Sequence, residues 1–592
     1  MEAARYYSEK KNLLTDCISK YKRKTVFLFR IRVFALLAIM CFIILITFFS
    51  FAIPVTFWIF SAIIILFSLV MDSYYRSSIN KVQIPLNFYT SGLDRLNGKW
   101  RGKGVTTPMD ERNHPYANDI LISGEGSLMD LIFHGKTQQG INTLYKWLSN
   151  STSGEEILSR QTSVRELMKT ELMDKIVSEG DIKKTDHTSL SLNSFFSADA
   201  VFSYNTMLYL RISSILVSVS LMISFLMWLS GVTGYFPMIV TGILTLVIHV
   251  FTMSDVSRIT GNLRKVSSES DSLLKIARII NHYEFESEIL IGIKSALSDD
   301  QYSAEKTIKK LKFLTALAES SLNQIWAFIA FITFWNLHIS ISTEIFRKKY
   351  SSHTANWGKQ IGIFESLFSL SVFAMENPEY TFPEVSDKDI FLMEDGFNPL
   401  HPDTWIRNTV NLGNKYRFMI VSGSNMSGKS SLLRTCSLNY ALANAGSIVS
   451  SSKMVFKPGK MVCSIRIIDS TRDGISRFYA EVLKIKTLVN SVNRGGFTLF
   501  FIDELFSGTN SEDRLSGADK LLLKLQNGNV CGILTTHDLA ITAIGDDPVR
   551  ETANFHFRDQ VKDNHLHFDY QLQSGKITSS NALYILEKEG II

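Results

Sequence analysis

Residues 423–430 carry two glycines, a lysine and a serine at the spacing of a phosphate-binding loop. The segment reads Gly-Ser-Asn-Met-Ser-Gly-Lys-Ser, which fits the pattern G-x-x-x-x-G-K-[ST]. Backbone N–H groups of such loops close around phosphate oxygens where a helix begins. We expect Lys429 to contact the β- and γ-phosphates and the Ser430 hydroxyl to ligate Mg²⁺. The predicted ATP- and phosphate-binding residues are Gly423, Ser424, Asn425, Met426, Ser427, Gly428, Lys429, Ser430 and Ser431.

Two acidic residues and a histidine follow apolar runs further along the chain. Asp503 and Glu504 end the run 497–502, and His537 follows the run 530–534. A carboxylate at a strand end beside a phosphate loop can hold Mg²⁺, and this assigns Asp503 to the metal. Glu504 is then placed to act as general base on the attacking water, and His537 to sense the γ-phosphate.

These side chains need a parallel sheet to bring them together. The run 418–422 leads into the phosphate loop, and short β-rich runs alternate with helical patterns from about residue 397 onward. This alternation predicts a C-terminal α/β domain of the P-loop NTPase class that hydrolyses ATP with a catalytic glutamate. An ABC transporter is disfavoured, because the Leu-Ser-Gly-Ala segment 515–518 follows the acidic strand instead of preceding it.

Two uncharged blocks precede this domain. Residues 33–71 and 212–254 contain no Asp, Glu, Lys or Arg, and a helix needs about 20 apolar residues to cross a bilayer. The first block has a turn signal at 52–54 and the second a break at 230–237, so we predict two membrane hairpins with four crossings. Basic residues flank both blocks, which places the N-terminus and the large soluble segments in the cytoplasm.

A third uncharged stretch, 320–343, carries several polar side chains. We favour a long buried helix over a fifth crossing, because polar groups inside a membrane are costly. Residues 256–345 otherwise show helical periodicity, with Leu263, Val266 and Leu273 near the 3.6-residue period.

Composition limits the other classes of function. The formal net charge of +6 indicates neither a dedicated nucleic-acid surface nor its absence. The 5 cysteines are scattered without a CxxC pair, which fits neither a disulfide framework nor a zinc site and suits a reducing compartment.

The phosphate loop resembles that of the MutS family of DNA mismatch-repair ATPases. The shared Asn425-Met426 pair is unusual among phosphate loops, whereas Ser424 and Ser427 stand where the family has Pro and Gly. The segments 503–509 and 535–538 are similar to the family's acidic strand and its histidine motif. The resemblance implies a dimer with composite ATP sites, and we therefore expect a homodimer formed through the ATPase domains.

Further resemblance implies further site residues. Segment 476–481 is similar to the family stretch whose serine reaches the partner subunit's nucleotide, which gives Ser476 that role. Asp513 corresponds to the aspartate that follows the acidic strand, a D-loop-like position. Upstream, 126–148 is similar to the opening of the family's helical core, or lever, domain, and the tail 568–580 is similar to its last strand and helix.

The family's mismatch-reading N-terminal domain has no counterpart here, because a membrane hairpin occupies the start of the chain. Two functions stay open: a membrane-tethered ATPase that binds DNA and acts in repair, or a membrane-bound mechanochemical ATPase with a protein or lipid partner. The predicted segments are 1–32 (cytoplasmic start), 33–71 (membrane hairpin 1), 72–211 (start of the core domain), 212–254 (membrane hairpin 2), 255–396 (all-α lever domain) and 397–592 (α/β ATPase domain).

Overall fold

Helices account for most of the chain before residue 376. The computed structural model describes residues 2–49, 55–106, 108–111, 114–179, 192–298, 303–321, 324–401, 406–424, 427–465, 477–506, 509–562 and 565–577. Its helices in this part are α1 (Glu2–Phe49), α2 (Val55–Leu96), α3 (Ala117–Ile120), α4 (Leu128–Ile132), α5 (Gln138–Ser149), α6 (Gly154–Leu167), α7 (Thr170–Glu179), α8 (Leu192–Ser197), α9 (Tyr204–Leu229), α10 (Phe236–Lys265), α11 (Ser267–His282), α12 (Glu288–Leu297), α13 (Ala304–Ser320), α14 (Gln324–Ile332) and α15 (Trp335–Glu376).

The first apolar block lies on the antiparallel pair α1 and α2. Both helices extend well beyond the predicted borders 33 and 71, so the flanking segments continue the same pair. At the border of the block, the Asp72 carboxylate accepts hydrogen bonds from Arg32 at 2.9 Å and Arg76 at 3.0 Å. The predicted turn at 52–54 lies outside the described residues.

The second apolar block lies on α9 and α10. The first of these helices ends at residue 229 and the second begins at residue 236, in agreement with the predicted break at 230–237. Within the described residues, four helices are long and apolar enough to cross a membrane, judged by length and composition alone. They are α1, α2, α9 and α10, and most of their apolar side chains face outward.

The prediction of one long buried helix over 320–343 is wrong. That stretch is divided among the end of α13, the short helix α14 and the start of α15. Phe334 adopts a left-handed backbone conformation with φ of 50°, which ends one helix and begins the next. The α14 side chains Phe328, Ile329 and Phe331 are exposed, so this part is not a core helix.

The lever region packs around α15. The residues predicted from helical periodicity, Leu263, Val266 and Leu273, are buried here. The buried carboxylate of Glu365 on α15 accepts hydrogen bonds from the N–H groups of Lys136 and Thr137 at 3.0 and 3.1 Å. It thereby holds the N-terminus of α5, which carries a partial positive charge.

The C-terminal region contains two sheets flanked by helices. Its strands begin at residue 384, earlier than the predicted border at 397, because three strands of a small four-stranded mixed sheet precede the phosphate loop; the fourth follows it. The elements are β1 (Glu384–Val385), β2 (Phe391–Gly396), β3 (Asn408–Leu412), β4 (Phe418–Ser422), α16 (Lys429–Ala445), β5 (Lys453–Phe456), β6 (Lys460–Ser464), α17 (Arg477–Asn493), β7 (Thr498–Ile502), α18 (Ser511–Gln526), β8 (Val530–Thr536), two 3₁₀ helices (Leu539–Asp546 and Pro548–Arg550), β9 (Thr552–Lys562) and β10 (His565–Ser574).

The larger sheet has the strand order β10-β9-β4-β8-β7-β6 and is parallel except for β10. Strands β4, β7 and β8 are buried along their whole length, as expected for parallel strands covered by helices on both faces. The prediction of a largely parallel α/β domain is therefore confirmed. The lever region docks on this sheet where Asp119 accepts hydrogen bonds from the Ile465 N–H at 2.8 Å and the Lys484 ammonium at 2.9 Å.

Candidate nucleotide-binding site

The three strands that carry the predicted site residues are neighbours in the sheet. Strand β8 lies between β4 and β7, with Ser422 opposite Thr536 and Ile502 opposite Leu534. Because the strands are parallel, the loops after them leave at the same edge. This edge therefore brings together the phosphate loop, the acidic pair and the histidine, and ligands of open parallel sheets bind at this end of the strands.

The phosphate loop leads directly into α16, which begins at Lys429. Gly428 has a φ of 105°, a conformation that favours glycine, and a Cβ there would lie 3.1 Å from the Tyr570 ring. The buried Lys429 ammonium donates to the carbonyl oxygens of Gly423 and Ser424, both at 2.7 Å. These contacts hold the ammonium at the centre of the loop.

A cavity of about 630 Å³ opens over the loop, a volume within the range of small-molecule sites. Ser424, Ser427, Lys429, Ser430 and Ser431 line it together with Glu504. The Ser427 hydroxyl is buried and has no hydrogen-bond partner among the described residues, so it can serve a ligand oxygen. Asn425 and Met426 lie outside the described residues.

Thr535 holds the acidic pair in place. Its hydroxyl donates a hydrogen bond to the Asp503 carboxylate and accepts one from the Glu504 N–H at 3.2 Å. Glu504 has a φ of 50°, a costly conformation for a residue with a side chain. The Thr535 contact helps to retain this conformation, in which Glu504 lines the cavity.

His537 lies beside the predicted general base. Its Nδ1 atom is 3.5 Å from Oε1 of Glu504, and its side chain is half exposed. The loop that carries it is tied to α18, because Arg514 lies 3.4 Å from the Asp538 carboxylate and donates to the Phe506 carbonyl at 3.2 Å. The histidine and the acidic pair therefore belong to one connected group.

Asp513 lies in the first turn of α18, next to Arg514. Its N–H donates to the Asn510 side chain at 2.8 Å, and its carboxylate accepts from the Asn510 amide at 2.9 Å. This reciprocal pair caps the helix. Ser476, predicted to reach a partner's nucleotide, lies outside the described residues.

Sequence reasoning missed three residues that shape the site. Thr535 and Tyr570 lie within the segments similar to the family, and the structure gives them roles: the first orders the acidic pair and the second covers Gly428. Arg514, which ties the loop of His537 to α18, directly follows the predicted D-loop-like Asp513, and this position is a usable signal. Tyr570 could not be found from spacing, because a register shift in β10 between Phe568 and Leu572 brings it to the loop.

The oxygen atoms that the site offers as metal ligands suit Mg²⁺. This ion takes oxygen ligands, usually one or two carboxylates together with substrate phosphates and water. Ser430 and Asp503 supply a hydroxyl and a carboxylate at the two loops concerned. The described residues contain no group of three or more His, Cys, Asp and Glu side chains that could hold a metal by themselves. The site therefore fits a metal that arrives with a nucleotide.

Comparison with known proteins supports a relationship to MutS. Residues 419–591 match the family model described as MutS domain V. The chain is 26% identical over 266 residues to the DNA mismatch repair protein MutS of Methanosarcina mazei, which covers 43% of this chain and 29% of that protein. It is 32% identical over 142 residues to the Endonuclease MutS2 of Thermus thermophilus, covering 24% of this chain and 19% of that protein.

A further relative is the DNA mismatch repair protein MutS of Bacillus subtilis, 24% identical over 247 residues. That match covers 40% of this chain and 28% of the relative. The chain thus corresponds to less than a third of the length of these three relatives. The residues matched by the family model, 419–591, lie within the α/β region and do not include the apolar hairpins.

Proposed function

We propose that this chain is an ATPase that binds ATP and Mg²⁺ in the cavity at the carboxyl edge of the parallel sheet. The observation that carries the proposal is the meeting of the phosphate loop, the Asp503–Glu504 pair and His537 at neighbouring strand ends. The match to MutS domain V supports it independently.

In the proposed reaction, loop N–H groups and Lys429 bind the β- and γ-phosphates. Glu504 accepts a proton from the water that attacks the γ-phosphorus, while the bond to the β–γ bridging oxygen breaks and ADP leaves. His537 orients Glu504 through their contact. Ser430 and Asp503 would hold Mg²⁺, which supplies positive charge beside the phosphates when bound.

Substitution of Lys429 tests the nucleotide site. Lys429→Ala removes the only ammonium seen at the loop among the described residues, so ATP binding and turnover should both fall to background. The exposed Lys453→Ala on β5 is the matched control and should keep both. Retained ATP binding in Lys429→Ala, measured with a fluorescent ATP analogue, would refute the site assignment.

We propose in addition that α1–α2 and α9–α10 tether the protein to a membrane as two hairpins, with the ATPase and lever regions on the cytoplasmic side. Support comes from the uncharged blocks and from side chains such as Phe34, Phe67 and Phe251, which are 76%, 63% and 83% exposed. Monomeric soluble proteins rarely expose contiguous apolar surface of this extent.

The names of the relatives favour a role with DNA. They are called DNA mismatch repair proteins and an endonuclease. For this chain we propose ATP-dependent DNA binding related to repair, carried out by a homodimer at the membrane.

A second candidate, a mechanochemical ATPase with a protein or lipid partner, is favoured by the contacts of α15. One end of this helix lies against α9 and α10, and its last residue, Glu376, pairs with Arg95 of α2. In the C-terminal third of α15, Glu365 holds the start of α5, and Arg160 of the next helix donates to the Asn444 carbonyl at the end of α16. These contacts link both hairpins to the helix that begins at the phosphate loop.

A titration with DNA distinguishes the two candidates. Purified protein in detergent is mixed with homoduplex and mismatched DNA over a range of salt concentrations, with and without ATP. Phosphate contacts would give an affinity that falls steeply with salt. Absence of binding at low salt, in protein that still hydrolyses ATP, would reject the DNA role and favour the mechanochemical one.

A further inference from the structure

The short helix α14 lies on a segment that leaves the lever region and returns to it. The indole Nε1 of Trp335, at the start of α15, donates to the Leu317 carbonyl near the end of α13 at 3.0 Å. The two helix ends are therefore adjacent, and the chain between them runs outward and comes back. This segment carries no formal charge from residue 320 to residue 343.

The returning end of α14 is held between the helices of the second hairpin. The Ser218 hydroxyl of α9 donates to the Ile332 carbonyl at 2.8 Å, and the His249 ring of α10 donates from Nε2 to the Phe331 carbonyl at 2.8 Å. The same imidazole stacks on the rings of Phe331 and Phe334, with centroids 4.3 and 4.6 Å away.

These contacts provide hydrogen-bond donors for backbone carbonyl groups at a helix break. The left-handed residue Phe334 interrupts the helix: its N–H donates to the Phe331 carbonyl at 3.3 Å, three residues back, and the regular four-residue bonding pattern of the helix is lost there. Inside a bilayer, carbonyls freed at a helix break must be bonded by neighbouring side chains. Ser218 and His249 provide such bonds, and the Phe334 ring is fully buried between the hairpin and α15.

Two independent measures give the same depth for this break. At about 1.5 Å per helical residue, Ser218 stands about 10 Å beyond Arg211, the last charge before the uncharged block. By the same measure, His249 lies about 9 Å along α10 from Asp255, the first charged residue after the uncharged block. The break would thus lie about a third of the way into a hydrocarbon core of about 30 Å.

The outer side of α14 continues the apolar surface of the hairpin. Phe328, Ile329 and Phe331 are 71%, 45% and 42% exposed. We propose that α14 is a re-entrant membrane segment, which enters and leaves the bilayer from the same side and contacts lipid acyl chains through these side chains. The proposal rests on the proposed membrane crossing of α9 and α10 and adds a third apolar element to it.

In this arrangement α15 connects the bilayer with the ATPase region. The helix would begin inside the bilayer, where Trp335 and Leu337 lie, and run out toward the ATPase region. Its His338 contacts Ser214 of α9 at 3.4 Å, and further along α15 the Glu344 carboxylate accepts from the N–H of Val201, three residues before α9 begins, at 3.2 Å. Any displacement of α15 would then move α14 within the lipid.

Site-specific fluorescence quenching in vesicles tests the proposal. The exposed native cysteines are replaced in a Cys17→Ser, Cys41→Ser background, and the remaining three are buried. Single variants Phe328→Cys, Leu244→Cys and Phe313→Cys, at side chains 71%, 47% and 62% exposed, receive a polarity-sensitive fluorophore. The label at position 244 reports on the second hairpin, and the label at position 313 reports on the lysine-rich surface of α13.

We expect the label at 328 to behave like that at 244: quenched by spin-labelled phospholipid and quenched by aqueous iodide several-fold less than the label at 313. Iodide quenching at 328 as strong as at 313, with 244 protected, would overturn the re-entrant segment alone. A label at 328 reached by neither quencher would show that protein covers α14, and would also overturn it. Iodide access at 244 would instead reject the membrane crossing itself.

Discussion

At the scale of single residues, the candidate site depends on a hydroxyl that contacts no phosphate in the proposed reaction. Thr535 bonds to both Asp503 and Glu504, and so fixes the two carboxylates with respect to each other. A general base contributes only when it is held within hydrogen-bond reach of the water. The left-handed backbone of Glu504 is consistent with this arrangement, because strained residues cluster at functional sites.

The general-base assignment makes a prediction. Glu504→Gln keeps the size and shape of the side chain but cannot accept a proton, so ATP turnover should fall by about 10²–10⁴-fold. ATP affinity should stay within a few fold of the wild type. Single-turnover hydrolysis and equilibrium ATP binding measure the two effects. Glu512→Gln, on the exposed first turn of α18, is the control; unchanged turnover in Glu504→Gln would contradict the assignment.

A buried histidine outside the site predicts a pH dependence of stability. Burial lowers the pKa of His134 well below its usual value near 6.5, and the positive charge of Arg95 lowers it further. The folded protein keeps this ring neutral while the unfolded chain takes up a proton. The free energy of unfolding therefore decreases as the pH falls below about 6.5.

The native His134 ring lies edge-on to Phe88, a contact that a phenyl ring can also make. The variant His134→Phe should therefore remove the pH-dependent loss of stability. Relative to the wild type, its free energy of unfolding should gain up to about 1.4 kcal/mol per pH unit on acidification from pH 6 to pH 5. Urea titrations in detergent micelles measure the difference. His282→Phe, at an exposed position, controls for the change of ring; parallel pH profiles for His134→Phe and the wild type would refute the prediction.

At the scale of elements, α15 is the helix on which the other helices converge. Its C-terminal end meets the first hairpin in a buried ion pair, in which Glu376 accepts from Arg95 at 2.5 and 2.8 Å and from the Tyr7 hydroxyl at 3.1 Å. The side chains of Arg95 and Glu376 are only 10% and 4% exposed. Such a pair costs desolvation energy, and it is sensitive to loss of one partner.

Glu376→Gln is therefore expected to lower the free energy of unfolding by about 3–5 kcal/mol, because it leaves the buried Arg95 charge without its counter-charge. Chemical denaturation of the purified protein measures this change. In the exposed pair of Arg5 and Glu9, 84% and 61% exposed, Glu9→Gln should cost less than about 1 kcal/mol. Equal effects of the two substitutions would argue against a buried link between α2 and α15.

At the scale of the whole molecule, an α/β region similar to MutS domain V is combined with two exposed apolar helix pairs. The helical lever connects them through Asp119 and Arg160 on the ATPase side and through Glu376 on the hairpin side. This arrangement gives a physical route by which nucleotide binding and the hairpins can influence each other.

The sequence by itself determined the class of the C-terminal fold and predicted the chemistry of its candidate site. Lys429, Asp503, Glu504 and His537 were found from local patterns, because a phosphate loop and strand ends are set by residues close together in the chain. The register of β4, β7 and β8 then confirmed the parallel sheet. The uncharged blocks 33–71 and 212–254 likewise appeared as long helices, because apolar length is a local property.

Only the tertiary structure decided which distant residues meet. Thr535 at the acidic pair, Tyr570 over Gly428 and Arg95 at Glu376 join segments far apart in sequence, and no periodicity carries that information. The stretch 320–343 is the clearest case, since its composition predicted one helix and the structure broke it at Phe334. The break is stable because Ser218 and His249, from two other helices, bond the carbonyls it releases.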